Sequence, residues 1–114
     1  MKRINRVRKH SDFASIEHAA APIKSKHFVV YSKQNELGYS RIGITASKRN
    51  GNAVTRNRIK RQIRSMIAQG YDLTISQDVI IIAKISYDCG CFHEQKEELL
   101  SLLREIGEPR IGKE

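Results

Sequence analysis

The fold depends most on residues 51–70, which read GNAVTRNRIKRQIRSMIAQG. The Asn-Gly-Asn sequence at 50–52 suits a tight turn that ends in a helix N-cap at Asn52. At 100° per residue, four apolar side chains then share about one third of the helix circumference. These are Ile59, Ile63, Met66 and Ile67. The pattern predicts an amphipathic helix from Ala53 to about Ala68, closed by Gly70, with this stripe in the core.

The rest of this helix is crowded with positive charge. Five bases occupy the nine residues from Arg56 to Arg64, without one acid. Arg56, Lys60 and Arg64 stand four residues apart, and each such pair of like charges costs a helix about 0.2–0.5 kcal/mol. Lys48 and Arg49 extend the patch before the helix. The pattern therefore favours an anionic partner, since arginine offers a planar fork to phosphate. A solvated basic face is the alternative.

The flanking sequence predicts three strands. Residues 27–33 (HFVVYSK) are β-branched and aromatic, and residues 39–46 (YSRIGITA) alternate apolar and polar positions. Between them, residues 34–38 form a connection of hairpin length that ends in glycine. Residues 78–84 (DVIIIAK) are apolar on both faces, which indicates a central, covered strand.

Two further helices complete the order helix, strand, strand, helix, strand, helix. Ser11 can cap a short helix that ends near Ala20, and leucines at helical spacing predict an amphipathic helix from His93 to Ile106. With 114 residues, the chain has room for a single domain over 1–114. Residues 1–10 are expected to form a basic arm, and residues 107–114 a flexible tail.

Charge is distributed unevenly along the chain. Residues 1–70 carry 16 Lys or Arg against three acids, whereas residues 71–114 carry five against nine, and the formal net charge is +9. A single domain with one positive side attracts polyanions such as nucleic acid. The longest apolar run, Val79–Ala83, is too short for a membrane span, and no signal peptide is evident. Two close cysteines do not make a disulfide framework, so a reducing, cytoplasmic location is expected.

The run from Gly51 to Arg64 closely resembles the signature of the bacterial ribonuclease P protein family, with its Arg-Asn-Arg motif at 56–58. Other segments resemble family segments in the same order and spacing. These are the basic start, Asp12-Phe13, residues 28–31, residues 43–48 and residues 78–83. The resemblance covers about residues 1–106.

The resemblance implies an α+β two-layer sandwich, αβββαβα, with a left-handed βαβ crossover around the basic helix, as in ribosomal proteins. It implies the protein subunit of ribonuclease P, a ribonucleoprotein endonuclease and hydrolase that removes the 5′ leader from precursor tRNA. The subunit would bind the catalytic RNA and the leader, and would broaden the substrate range. Catalysis would belong to the RNA with its Mg²⁺. The chain would hold no catalytic residue, no metal of its own and no obligate protein partner, and would not contact a membrane.

The resemblance also assigns residues to two surfaces. The RNA-binding surface would comprise Lys48, Arg49, Asn52, Arg56, Asn57, Arg58, Lys60, Arg61 and Arg64. Phe13 and Tyr31 would line a cleft for the single-stranded leader, although ordinary core packing is the alternative for both rings. Glu17 departs from the family, which often has an aromatic or apolar residue there, and a carboxylate in the cleft would repel phosphate. Glu17 is therefore not assigned to the site.

Three other interpretations compete with this one. Cys89, Cys91 and His93 offer three metal ligands, but a structural zinc site usually has four and CxxC spacing. A nuclease that acts without RNA needs clustered carboxylates or a placed histidine, whereas the acids here gather on the predicted C-terminal helix. A ribosomal protein or RNA chaperone fits the basic helix equally well by charge. The long motif favours ribonuclease P.

Overall fold

The computed structural model describes residues 5–7, 10–19 and 21–107. Over these ranges the chain forms α1 (His10–Ala19), β1 (Ile23–Lys24), β2 (Phe28–Gln34), β3 (Arg41–Ala46), a 3-10 turn (Lys48–Asn50), α2 (Ala53–Gly70), β4 (Gln77–Ala83) and α3 (Phe92–Gly107). The expected flexible tail lies outside the described residues except for Gly107, as do Ala20 and residues 1–4 and 8–9 of the expected basic arm.

The four strands form one mixed sheet in the order β1-β2-β4-β3. The central position predicted for β4 is confirmed: it pairs antiparallel with β2 and parallel with β3. The hairpin expected from the short connection at 34–38 is wrong, because β4 lies between β2 and β3. A strand that is apolar on both faces is best covered in the middle of a sheet, so it displaces the pairing of its two more polar neighbours.

The two faces of the sheet are covered differently. Val79, Ile81 and Ala83 of β4 face α2 and α3 in the main core. Ile80 belongs to a smaller cluster on the opposite face, where it packs with Ile16 of α1. The main core makes the sheet and the α2–α3 pair the two layers of the sandwich, and α1 covers part of the other face.

The helix ends predicted from the sequence are confirmed only in part. Asn52 caps α2 as predicted, since its Oδ1 accepts a hydrogen bond of 2.9 Å from the Thr55 amide. Gly70 does not terminate the helix in a left-handed conformation but is its last residue. A Cβ at Gly70 would lie 2.5 Å from Leu100 Cδ1, so this glycine allows α3 to approach. Ser11 lies inside α1 rather than at its cap.

An ion-pair network fixes α1 on the sheet. Arg41 of β3 donates to both carboxylate oxygens of Asp78, at 2.9 and 2.7 Å, and its third contact reaches Asp12 of α1 at 3.4 Å. Burial alone would raise the pKa of Asp78, but hydrogen bonds from Arg41 and Asn35 outweigh burial and lower it. Asp78 is therefore a buried anion that orients Arg41 towards the helix carrying Phe13.

Candidate nucleic-acid interface

The bases of α2 lie on two sides of the helix. Ile59, Ile63, Met66 and Ile67 are buried, as the sequence predicted. Arg56, Lys60 and Arg64 flank this stripe and are half-buried, whereas Asn57, Arg58 and Arg61 are exposed on the outer face. The division follows from helix geometry, because residues four apart share a face. The helix thus presents one row of cations beside the core and another directed to solvent.

The positive charge of α2 is not neutralised by the part of the chain that the structure describes. The ion pairs found there join His27 to Glu98 and Arg41 to Asp12 and Asp78, and none involves a residue of α2. Carboxylates at pairing distance would hold these side chains against the protein. Their absence from the described surroundings leaves α2 as a cationic surface able to receive a polyanion.

The turn before α2 holds two more bases in fixed positions. Lys48 and Arg49 lie exposed on the 3-10 turn, which Ser47 and Asn50 close in a reciprocal capping box. Asn50 also donates a 2.8 Å hydrogen bond to the carbonyl of Lys84, which ties the turn to the end of β4. The turn therefore extends the cationic surface beyond the first turn of α2 on a constrained backbone.

A short segment of the basic arm lies along the free edge of β3. The Val7 amide donates to the Ile42 carbonyl at 3.0 Å, and Asn5 Nδ2 donates to the Ser40 carbonyl at 2.7 Å. Arg6 forms a parallel bridge with Ile42. The described residues of the basic arm, Asn5 to Val7, therefore lie against the sheet.

A narrow groove separates this segment from α2. Its volume is about 110 Å³, and it is lined by Arg6, Val7, Phe13, Ile42, Ile44, Lys60 and Arg64. Three cations thus surround an apolar surface that includes one aromatic ring. Such a combination suits single-stranded nucleic acid, in which phosphates and base faces alternate.

A second, wider cavity also borders Phe13. Its volume is about 360 Å³, and Phe13, Ala14, Glu17 and Thr45 line it. The ring of Phe13 lies close to the sheet because β3 has a glycine there: a Cβ at Gly43 would lie 2.7 Å from Phe13 Cζ. Phe13 is therefore a wall shared by the groove, which is cationic, and the cavity, which holds a carboxylate. We call the groove the cationic groove and the cavity the Glu17 cavity.

Tyr31 occupies a different position from Phe13. It is partly buried and packs, like Phe13, against the cluster of Val7, Ile16 and Ile80. It lines neither the cationic groove nor the Glu17 cavity. The structure thus places Phe13, Lys60 and Arg64 around one groove, with Tyr31 in the apolar cluster beneath α1.

Sequence reasoning did not assign Arg6 or Thr45 to the site, and it set Glu17 aside. Thr45 could have been found, because the alternation of β3 places it on the same face as Gly43. Arg6 could not have been found from the sequence, since it reaches the groove only through the pairing of the arm with Ile42. Glu17 follows Phe13 by four residues and therefore shares its face of α1.

The cysteines lie in the connection to α3, and neither lines the cationic groove or the Glu17 cavity. Both are free thiols, and the Cys91 Sγ contacts the carboxylate of Asp88 at 3.7 Å. The negative charge of Asp88 raises the pKa of the Cys91 thiol, which favours its protonated form and weakens it as a metal ligand. Among the described residues, no three His, Cys, Asp or Glu side chains converge as a metal site would require. No described helix is long and apolar enough to span a bilayer.

A mixed sheet, a basic helix between two parallel strands, and an aromatic groove beside that helix define an α+β protein of the RNA-binding class. The model of the Ribonuclease P family matches residues 1–107. The chain therefore belongs to the ribonuclease P protein family, whose members are the protein component of that ribonucleoprotein and take part in tRNA processing.

Similar proteins support this assignment across nearly the whole chain. The ribonuclease P protein component of Bacillus velezensis is 38% identical over 108 residues, which are 91% of this chain and 90% of that protein. The component of Streptococcus thermophilus is 34% identical over 104 residues, covering 91% and 94%. Among solved structures, a mutant of the Staphylococcus aureus protein has a TM-score of 0.81 at 31% identity, covering 90% of this chain and 88% of that one. The Thermotoga maritima protein has a TM-score of 0.75 at 27% identity, covering 90% and 98%.

These similarities confirm the α+β fold and the expected topology. They also make the chain a subunit of the ribonuclease P holoenzyme, associated with ribonuclease P RNA. A ribosomal protein or RNA chaperone is not favoured.

Proposed function

We propose that α2 lies against the catalytic RNA of ribonuclease P while the surface around Phe13 holds the single-stranded 5′ leader of precursor tRNA. The observation that carries this proposal is the placement of Phe13 between the half-buried cations of α2 and the free edge of β3. One element then serves both surfaces, since its outer row of bases remains exposed while Lys60 and Arg64 of its inner row line the groove.

The RNA-facing surface is built for phosphate rather than for base sequence. It comprises Lys48, Arg49, Asn52, Arg56, Asn57, Arg58, Lys60, Arg61 and Arg64, of which Lys60 and Arg64 also line the groove. Arginine pairs with phosphate through two parallel hydrogen bonds, and α2 supplies four arginines within nine residues. A folded RNA with closely spaced phosphates can neutralise such a surface.

The leader surface combines stacking with phosphate contacts. A base that stacks on an aromatic ring gains about 1–3 kcal/mol with little dependence on its identity. Phe13 offers such a face, with Lys60, Arg64 and Arg6 nearby to contact the backbone. Tyr31 supports the site from the apolar cluster under α1. Precursor tRNA would therefore bind more tightly than mature tRNA, which lacks the leader, and the range of substrates would broaden.

Catalysis is assigned to the RNA, with Mg²⁺ held by the RNA. The distribution of acids in the chain supports this. Asp78 is committed to Arg41, and Glu98 to Ser25 and His27. Glu94, Glu97 and Glu105 are exposed along α3, on the layer opposite α1. The chain contributes binding, in a cytoplasmic ribonucleoprotein that needs no other protein subunit.

Two variants separate the two surfaces. Arg61→Ala removes an exposed base of α2 and is expected to weaken binding to ribonuclease P RNA several-fold. Phe13→Ala is expected to leave that affinity unchanged and to reduce the preference of the holoenzyme for precursor over mature tRNA. Arg104→Ala removes an exposed base of α3 and is the matched control.

The leader assignment also predicts the effect of Tyr31→Ala, which should weaken precursor tRNA binding more than mature tRNA binding. Equal losses for both RNAs in the Phe13 and Tyr31 variants would refute the leader surface. An unchanged RNA affinity in Arg61→Ala would refute the role of α2.

A further inference from the structure

The Glu17 cavity contains a carboxylate, a group that a leader-binding surface made only of cations and aromatic rings would lack. Phe13 and Glu17 lie one helical turn apart on α1, and together with Ala14 and Thr45 of β3 they are the described residues that line this cavity. Glu17 is exposed and forms no ion pair or hydrogen bond with any other residue in the described ranges. Its carboxylate is therefore able to accept hydrogen bonds from a ligand in the cavity.

The carboxylate decides which part of a nucleotide can enter this cavity. A phosphate beside Glu17 would be repelled, whereas the cationic groove, which shares Phe13 with this cavity, offers it Arg6, Lys60 and Arg64. A nucleobase is uncharged and can stack on Phe13 with its edge towards Glu17. The two cavities thus fit one strand whose backbone follows the groove while a single base turns into the Glu17 cavity.

The bases differ in what their edges offer to a carboxylate. Guanine presents two adjacent donors, N1–H and the exocyclic amine, and both oxygens of a carboxylate can accept from them. Adenine and cytosine present one exocyclic amine each. Uracil presents one N–H between two carbonyl oxygens, which a carboxylate repels. The chemistry of the cavity therefore ranks guanine first and uracil last.

We propose that Glu17 is a specificity-determining residue of the leader site, which accepts hydrogen bonds from the Watson–Crick edge of a guanine stacked on Phe13. This inference rests on the proposed function, because it assigns a ligand to one side of the leader surface. It also explains how a carboxylate is compatible with binding a polyanion: Glu17 faces a base, while Arg6, Lys60 and Arg64 face the backbone.

The test uses the holoenzyme reconstituted from this chain and ribonuclease P RNA. Precursor tRNAs with one constant leader are varied at a single leader position at a time, with each of the four bases, and their dissociation constants are measured. One position is expected at which guanine binds about fivefold more tightly than uracil, the lower end of what a bidentate base contact gives.

Glu17→Gln tests the residue itself. The amide has nearly the same shape but offers one acceptor oxygen in place of two, so the guanine-to-uracil ratio at that position should fall close to one. Removal of the negative charge should also strengthen the binding of precursor tRNA, but by the same factor for all four bases. This general charge effect therefore does not contribute to the change in the guanine-to-uracil ratio. Glu97→Gln, which removes an exposed carboxylate from α3, is the charge-matched control and should retain the ratio.

Two results would overturn the assignment of Glu17. One is that no leader position favours guanine over uracil, and the other is that the preference survives in Glu17→Gln. In both cases, a retained preference for precursor over mature tRNA would leave the proposed function standing. Loss of that preference in the unmodified holoenzyme would instead contradict the leader surface itself.

Discussion

A methyl group added at Gly43 would collide with the ring of Phe13, on which the proposed leader surface depends. In Gly43→Ala, the new Cβ would lie 2.7 Å from Phe13 Cζ, 2.8 Å from Phe13 Cε1 and 2.8 Å from Ile80 Cδ1. Non-bonded carbon atoms prefer about 3.5–4.0 Å, so the neighbours must move by roughly 1 Å. Ile80 is fully buried in the sheet, and Phe13 is only partly buried. The displacement therefore falls mainly on Phe13.

The stability change has two opposing contributions. Overpacking of this kind costs about 1–3 kcal/mol. Alanine also recovers about 0.5–1 kcal/mol relative to glycine in a strand, because it restricts the unfolded chain more. We expect a net loss of about 1 kcal/mol in the free energy of unfolding, measured by urea denaturation. The control is Gly90→Ala, where the Cβ would meet only the side chain of exposed Asp88 and no ring.

The functional measurement for Gly43→Ala is the ratio of the holoenzyme's affinities for precursor and mature tRNA. Displacement of the Phe13 ring should lower this ratio several-fold, while the affinity of the chain for ribonuclease P RNA stays constant. A free energy of unfolding that is unchanged within about 0.3 kcal/mol would refute the seating of Phe13 on Gly43. A destabilised variant with a full leader preference would refute the stacking role of Phe13.

Two further predictions concern the charges that hold the fold. Asp78→Asn removes the charge that orients Arg41, so the free energy of unfolding, measured by urea denaturation, should fall by about 1.5–3 kcal/mol. The control is Asp72→Asn at an exposed position, and a smaller loss in Asp78→Asn than in this control would contradict the prediction. The pKa values of Asp78 and Glu98 are lowered in the folded protein. Their ionised carboxylates therefore stabilise the fold above the pKa values of the unfolded chain, about 3.9 and 4.3, and this stabilisation is lost as the pH falls through the pKa values of the folded protein. Urea midpoints measured from pH 7 to pH 3 should therefore fall on acidification, and Glu98→Gln should reduce that dependence.

The helices and the central strand were predictable because their patterns are local. The stripe of four apolar residues on α2 and the cap at Asn52 follow from spacing within a few turns. The position of β4 also follows from composition, since a run apolar on both faces has to be covered on both. The same periodicity sets Arg56, Lys60 and Arg64 four residues apart, but their partial burial, which distinguishes them from Arg58 and Arg61, was not predicted.

Long-range pairing was not predictable in the same way. The loop at 34–38 has the length of a hairpin, yet the competition for the edges of β4 decides which strands pair. Gly70 has the position of a helix stop, but its role is set by Leu100, thirty residues away along the chain. β1 spans two residues and is too short to produce a pattern.

The residues of the candidate site likewise fall into those that local sequence predicts and those that only the tertiary structure reveals. The bases of α2 were identified from local crowding, whereas Arg6 joins them only because the arm pairs with β3. Glu17 was set aside because a carboxylate repels phosphate. The structure places it in the lining of the Glu17 cavity, whereas the cations line the groove that shares Phe13 with it. Which charged side chains border which cavity depends on tertiary structure.

The central claim is that this chain acts through an RNA partner, and reconstitution tests it most directly. Precursor tRNA cleavage is measured at a Mg²⁺ concentration too low for ribonuclease P RNA to act alone, with the chain, the RNA, or both present. We expect cleavage that yields the mature 5′ end only when both are combined. Cleavage by the chain without RNA, or no gain on adding the chain to the RNA, would contradict it.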